Sequence, residues 1–305
     1  MSLKVFEFFG FSPQDTSEKA VAFRESGNCP FVGGTCIKRF KSGTISGACS
    51  VKPTTTGPVI CCPNRMYAAD YHVLLDVAQT CFGAEARLCR TAADLKGDGF
   101  DVHVFGKRWG KELRLPSRGK GGGYFVDWVL ALIDSNRKLK EFVAIELQTM
   151  DTTGSYEAEI NAYYRGENPE KSSVAGINWE NVSKRILPQI IFKGHVLRRE
   201  PLCTKGLFFI CPAPVYQRIL TRLGGKLEEY HPQAGALTFR WYDLGEDFTP
   251  GEPRVLESRG QRTTTIDQVA IAFTSPSNLP AARVYEQAIN AELGQESKGS
   301  KGAVP

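Results

Sequence analysis

Two rhythms of apolar and polar residues run along the chain. Between residues 66 and 83, MYAADYHVLLDVAQTCFG brings Tyr67, Tyr71, Leu74, Leu75 and Ala78 back at the three- and four-residue spacing of one helix face, which predicts an amphipathic helix. The segments FDVHVFG (100–106), KELRLP (111–116), FVDWVLALI (125–133) and FVAIELQ (142–148) are short and rich in β-branched and aromatic residues, and they predict strands. Helices are predicted over 155–164 and 178–193, followed by an apolar strand GLFFICP (206–212) and a helix VYQRILTRLGG (215–225). This order predicts an α/β fold, a mixed central sheet flanked by helices.

Residues 1–66 read differently. They are rich in Gly, Ser, Thr and Cys with little helical periodicity, so loops and short strands held by something other than a large apolar core are expected there. The chain divides into an N-terminal region (1–66), a core (67–290) and a flexible tail (291–305) that contains QESKGSKGAVP. Composition changes little in this picture: 305 residues, 42% hydrophobic and 23% charged, is ordinary for a globular protein. No run of about 18 apolar residues predicts a membrane span, and MSLKVFEFFGFSPQD lacks the apolar centre of a signal peptide, so a cytoplasmic protein is expected. The net charge of +5 leans mildly toward a polyanionic partner.

One hairpin carries unexpected chemistry. If 125–133 and 142–148 pair antiparallel around a turn centred between Asn136 and Arg137, Asp127 stands opposite Glu146 and Phe125 opposite Gln148. Opposed residues have Cβ atoms about 4.5–5.5 Å apart and alternate residues share a face, so Asp127, Glu146 and Gln148 converge. Two facing carboxylates repel unless a cation lies between them, and Mg²⁺ is commonly held by one or two carboxylates plus waters. The pattern is that of the PD…(D/E)xK nucleases, with Val126 in the place of proline and Gln148 in the place of lysine. Glu112, in the preceding strand segment, supplies a third acid for the same patch.

Nine cysteines in a reducing compartment call for an explanation other than disulfides. Cys29, Cys36, Cys49 and Cys62 are separated by 6, 12 and 12 residues, and turn-prone stretches (GNCP, SGACS, CCPN) hold three of them. Four thiolates suit Zn²⁺ or iron, and such a knuckle contributes folding free energy directly. Cys61, adjacent to Cys62, is an alternative ligand. Cys81, Cys89, Cys203 and Cys211 read as small buried apolar residues.

Taken together, EFFG (7–10), CPF (29–31), CPNR (62–65), KEL (111–113), VDWVLA (126–131), IELQTMDTTGSY (145–156) and NWENVSKR (178–185) resemble the NotI family of type II restriction endonucleases, in the family's order and as far as about residue 200. The resemblance implies a PD-(D/E)xK endonuclease-like core with an N-terminal four-cysteine knuckle, in which a Gln in place of the lysine is usual. It implies Mg²⁺-dependent cleavage of double-stranded DNA at a GC-rich palindromic site by a bacterial cytoplasmic homodimer. It gives Glu112, Asp127 and Glu146 the part of magnesium ligands, Gln148 the position of the lysine, and Cys29, Cys36, Cys49 and Cys62 a structural iron, with zinc as the alternative.

Residues expected to meet DNA are Lys184 and Arg185 in NVSKR, and Arg118 and Lys120 in the basic, Gly-rich stretch before the hairpin. Arg198, Arg199, Arg259 and Arg262 are candidates for guanine contacts. A DNA-binding regulator without catalysis would keep the cysteines and the basic residues but leaves the acids without a purpose. A glycoside hydrolase would use the acid pair but needs neither the knuckle nor Gln148.

Overall fold

The computed structural model describes residues 2–107, 109, 113, 125–169, 173–275, 279 and 281–294. In chain order the elements are β1 (Leu3–Phe8), α1 (Glu18–Ser26), β2 (Ala48–Pro53), β3 (Val59–Ile60), α2 (Ala68–Phe82), β4 (Arg87–Cys89), β5 (Asp101–Gly106), β6 (Trp128–Ile133) and β7 (Leu139–Leu147). They continue with β8 (Thr152–Thr153), α3 (Glu157–Tyr164), β9 (Gly176–Ile177), a π-helical turn Val182–Ile186 leading into α4 (Leu187–Leu197), β10 (Leu207–Pro212) and α5 (Ala213–Arg222). The chain then forms β11 (Ala236–Leu244), β12 (Leu256–Thr265), α6 (Ile266–Thr274) and α7 (Val284–Glu292).

Seven strands make one mixed sheet in the order β12-β11-β10-β7-β6-β5-β4. The run β7, β10, β11 is parallel, and antiparallel partners flank it at β6 and β12. All of LFFICP in β10 is buried, as a strand covered on both faces requires. Alternation sorts its side chains: Phe208 and Ile210 pack with Val73, Leu74 and Val77 of α2, while Leu207, Phe209 and Cys211 pack with Ile190 of α4, Val215 and Ile219 of α5 and Ile266 of α6. The sheet therefore has helix α2 on one face and helices α4, α5 and α6 on the other.

The β6–β7 hairpin keeps the register read from the sequence, with Trp128 opposite Ile145 and Leu132 opposite Glu141. Its turn is wider than expected. Arg137 adopts φ 61, Asp134 Oδ1 accepts from the N–H groups of Asn136 and Lys138 at 2.9 and 2.8 Å, and the ladder slips so that Ile133 meets Leu139. Residues 125–127 precede β6 instead of belonging to it, and of the predicted strand KELRLP only Leu113 lies among the described residues.

The N-terminal region holds an apolar cluster that its composition does not announce. A sheet β1-β2-β3 presents Leu3, Val5 and Phe8 to Tyr156, Ile160 and Tyr163 at α3, and the Val5 N–H donates to Glu159 Oε1 at 2.8 Å. Helix α1 has only Ala20 buried, so no apolar face marks it in the sequence; its signals are the Ser17 cap on the Ala20 N–H and Gly27 at φ 65. The predicted tail falls on α7 up to Glu292, and its residues 295–305 lie outside the described residues.

Candidate active site

Glu146 is the penultimate residue of β7 and Asp127 stands one residue ahead of β6. Because Trp128 pairs with Ile145, these two acids form the next cross-strand position outward. Backbone bonds join them at both sides: the Leu147 N–H donates to Asp127 Oδ2 at 2.9 Å, and the Asp127 N–H donates to the Glu146 carboxylate. Alternation places Glu146 on the same face as Ala144, beneath the helices α4 to α6.

That face sets the electrostatics. Glu146 is 9% exposed, and burial, followed by the Asp127 carboxylate, pushes its pKa up to about 7, against the pull of Lys193. Lys193 comes from α4, and its Nζ is ion-paired with Glu146 Oε1. The pair is largely withdrawn from solvent, with side chains 21% and 11% exposed.

Both groups line a cleft of about 420 Å³ with Asp127, Gln148, Asp151, Gln189 and Lys107. Gln148 is tied to the sheet through its N–H, which donates to the Ile210 carbonyl at 3.0 Å, and its Nε2 donates to the Thr149 carbonyl at 3.0 Å. The other end of the amide is the oxygen Oε1, an acceptor. Asp151 accepts from Asn181 Nδ2 at 3.3 Å and has Arg185 Nη1 at 3.8 Å, which brings the π-helical turn to the rim. Two carboxylates and open space beside them suit Mg²⁺, which usually takes one or two protein carboxylates and keeps waters.

The cleft thus gathers Asp127, Glu146 and Gln148 from the predicted set, while Glu112, Arg118 and Lys120 lie outside the described residues. Lys184 pairs with Glu180 and lines a separate groove with Trp179, Arg218 and Arg222 instead of the cleft that holds the acids. Among the arginines considered for guanine contacts, Arg198 pairs with Asp267, Arg259 with Glu257, and Arg262 donates to the Leu227 carbonyl.

Cys29, Cys36, Cys49, Cys61 and Cys62 are all buried in the N-terminal region. Cys62 opens a tight turn: its carbonyl accepts from the Arg65 N–H at 3.1 Å and its thiol takes the Asn64 N–H. Burial, then the neighbouring Cys61, lifts the Cys62 thiol to about 12, with Cys36 adding to the rise; burial, then Cys62, lifts Cys49, with Cys29 adding. These thiols are close enough to oppose one another's ionisation, a donor set that a cation would reverse. Among the described residues, however, no three of His, Cys, Asp or Glu are grouped as the ligands of an ion. Among the described residues the expected four-cysteine knuckle does not stand assembled, and the third acid of the expected magnesium centre, Glu112, lies outside them.

Sequence reading missed Lys193, Gln189 and Asp151. Gln189 and Lys193 are four residues apart on a mostly apolar helix, LPQIIFKGHVL, whose other polar side chain is His195, and that spacing on one face is the signal that marks them. Compared with models of protein families and with curated proteins, the chain matches none.

Proposed function

We propose that this protein is a Mg²⁺-dependent type II restriction endonuclease that hydrolyses both strands of double-stranded DNA at a GC-rich palindrome, acting as a homodimer in the bacterial cytoplasm on a PD-(D/E)xK core. The observation that carries the reading is the opposed pair Asp127 and Glu146 at the ends of adjacent strands, with Gln148 in the same cleft. The resemblance of IELQTMDTTGSY (145–156) to the NotI family supports it, as does the net charge of +5. Twofold DNA symmetry favours a twofold protein.

Asp127 and Glu146 would hold the magnesium ion, which when bound polarises a phosphoryl oxygen and lowers the pKa of a bound water. Gln148 is neutral and takes no proton. Its Oε1 accepts a hydrogen bond from the attacking water and turns that water's lone pair toward phosphorus. Arg185 at the rim is placed to meet the phosphate backbone, a contact that positions the duplex without reading its sequence. The buried thiols Cys29, Cys36, Cys49 and Cys62 would hold a structural iron or zinc ion.

Purified protein incubated with bacteriophage lambda DNA and Mg²⁺ tests this directly. Discrete fragments sharing one end sequence are expected. Intact DNA, bound at specific sites, would instead identify a regulator.

A further inference from the structure

Hydrolysis of a phosphodiester places growing negative charge on the non-bridging oxygens, and a cation fixed in the site stabilises it. Position 148 supplies only a neutral amide. The cleft nevertheless contains an ammonium against the second acid, and it comes from a different element: Lys193 of α4, ion-paired with Glu146.

We propose that Lys193 is a catalytic residue of this cleft, the cation that α4 delivers where β7 carries Gln148. The proposal rests on the nuclease reading given above. In the reaction Lys193 keeps one N–H on Glu146 and donates another to a non-bridging oxygen of the scissile phosphate; the ammonium has three such donors. It stays protonated throughout. The water oxygen forms its bond to phosphorus as the bond from phosphorus to the leaving oxygen breaks; solvent takes the water's proton and supplies one to the leaving oxygen.

Three features of the chain support this assignment. Helix α4 is anchored firmly enough to aim a long side chain: Leu187, Ile190 and Leu197 are buried in the core, and Gly194 lets the helix lie against Ile266. Lys193 and Gln189 both line the cleft, so one face of α4 is turned to it. Stability does not account for the pair, since a partly buried ion pair roughly breaks even against apolar replacements of similar size. An ion pair kept at the mouth of a cleft beside a second carboxylate is better explained by what it does to a ligand.

The test uses the full chain, with lambda DNA for cleavage and Tb³⁺, sensitised by Trp128 in the cleft wall, as a probe of the carboxylates. Lys193→Met is expected to slow single-turnover cleavage by about 100-fold, while binding of a cognate duplex in Ca²⁺ changes by no more than about threefold. Gln148→Lys combined with Lys193→Met is expected to regain part of the lost rate. Tb³⁺ should bind Lys193→Met more tightly than the unaltered protein, because the ammonium no longer competes for Glu146.

Wild-type rates from Lys193→Met would overturn the proposal while leaving the nuclease reading intact. So would lost cleavage accompanied by weakened Tb³⁺ binding, which would mean that the lysine only props the carboxylates in place. If the unaltered protein leaves lambda DNA whole in Mg²⁺, the nuclease reading falls and the proposal with it.

Discussion

Gly194 of α4 lies directly against Ile266 at the start of α6, so close that a Cβ on the glycine would stand 2.1 Å from Ile266 Cδ1. Glycine in a helix interior costs about 1 kcal/mol relative to alanine, and here the close approach of two helices offsets that cost. Gly194→Ala should therefore destabilise despite its better helix propensity, by about 1–3 kcal/mol through overpacking, seen as a lower urea midpoint. The same change shifts α4 and the neighbouring Lys193, so cleavage should fall with it.

Arg65 is fully buried and grips Glu7 through Nε at 3.0 and 3.1 Å, while Ser50 Oγ donates to Glu7 Oε2 at 2.8 Å and Arg65 Nη2 donates to the Arg254 carbonyl at 2.6 Å. These bonds tie the N-terminal sheet to the segment before β12. Arg65→Met strands a carboxylate out of water and should cost about 3–5 kcal/mol, whereas Glu7→Leu with Arg65→Met should recover most of it. Thermal denaturation of the two single variants and the double variant measures the coupling; equal losses in the single and double variants would contradict it.

Legibility followed the range of the interactions. The register of β6 against β7 could be read because the alternation and the Asn136–Arg137 turn are local, and the pairing of Trp128 with Ile145 follows from them. Lys193 could not be read as a partner of Glu146, since their meeting depends on how α4 crosses the sheet, 47 residues away in sequence. β12 was hidden too: LESRGQRTTT has little apolar alternation because it is an edge strand, with only Thr263 and Thr264 buried. The cysteines could be grouped by spacing, but spacing alone does not orient their thiols.

Asp101 should set part of the acid sensitivity. Burial tends to raise its pKa, but the Gly97 N–H at 2.7 Å and the Arg87 guanidinium outweigh that and hold it below the usual carboxylate range. A depressed folded pKa contributes stability that is fully present above the unfolded value of about 3.9 and is lost as pH falls through the folded one. Asp101→Asn should cost about 1 kcal/mol at pH 7. The gap between the variant and the parent should narrow as pH falls below about 3.9 toward the lowered folded pKa. Urea midpoints across pH 2.5–7 check the sign, and a gap that widens on acidification would refute it.

Asp127→Asn should separate stability from activity. Asparagine keeps an oxygen for the Leu147 N–H but removes the charge facing Glu146. Relief of that repulsion should raise stability by a few tenths of a kcal/mol up to about 1, while cleavage of lambda DNA should drop by at least about 100-fold. Duplex binding in Ca²⁺ should remain measurable. A variant that is both less stable and fully active would remove Asp127 from the site.

The thiols offer the last test, because a structural metal and a cluster of buried neutral thiols predict different behaviour. If Cys29, Cys36, Cys49 and Cys62 hold iron or zinc, elemental analysis of the purified protein should find about one metal ion per chain. Each of Cys29→Ser, Cys49→Ser and Cys62→Ser should lose that ion together with several kcal/mol of stability, since binding free energy at such a site is folding free energy. Cys36→Ser tests the fourth position in the same way, and Cys61→Ser should keep the metal unless Cys61 takes the place of Cys62. Without a metal, Cys49→Ser should behave as an isosteric core change, costing about 1–3 kcal/mol for a buried hydroxyl, and a chelator should leave the melting temperature unmoved. A protein that carries no metal and ignores chelators would reassign all five cysteines to packing around β2 and the Cys62 turn.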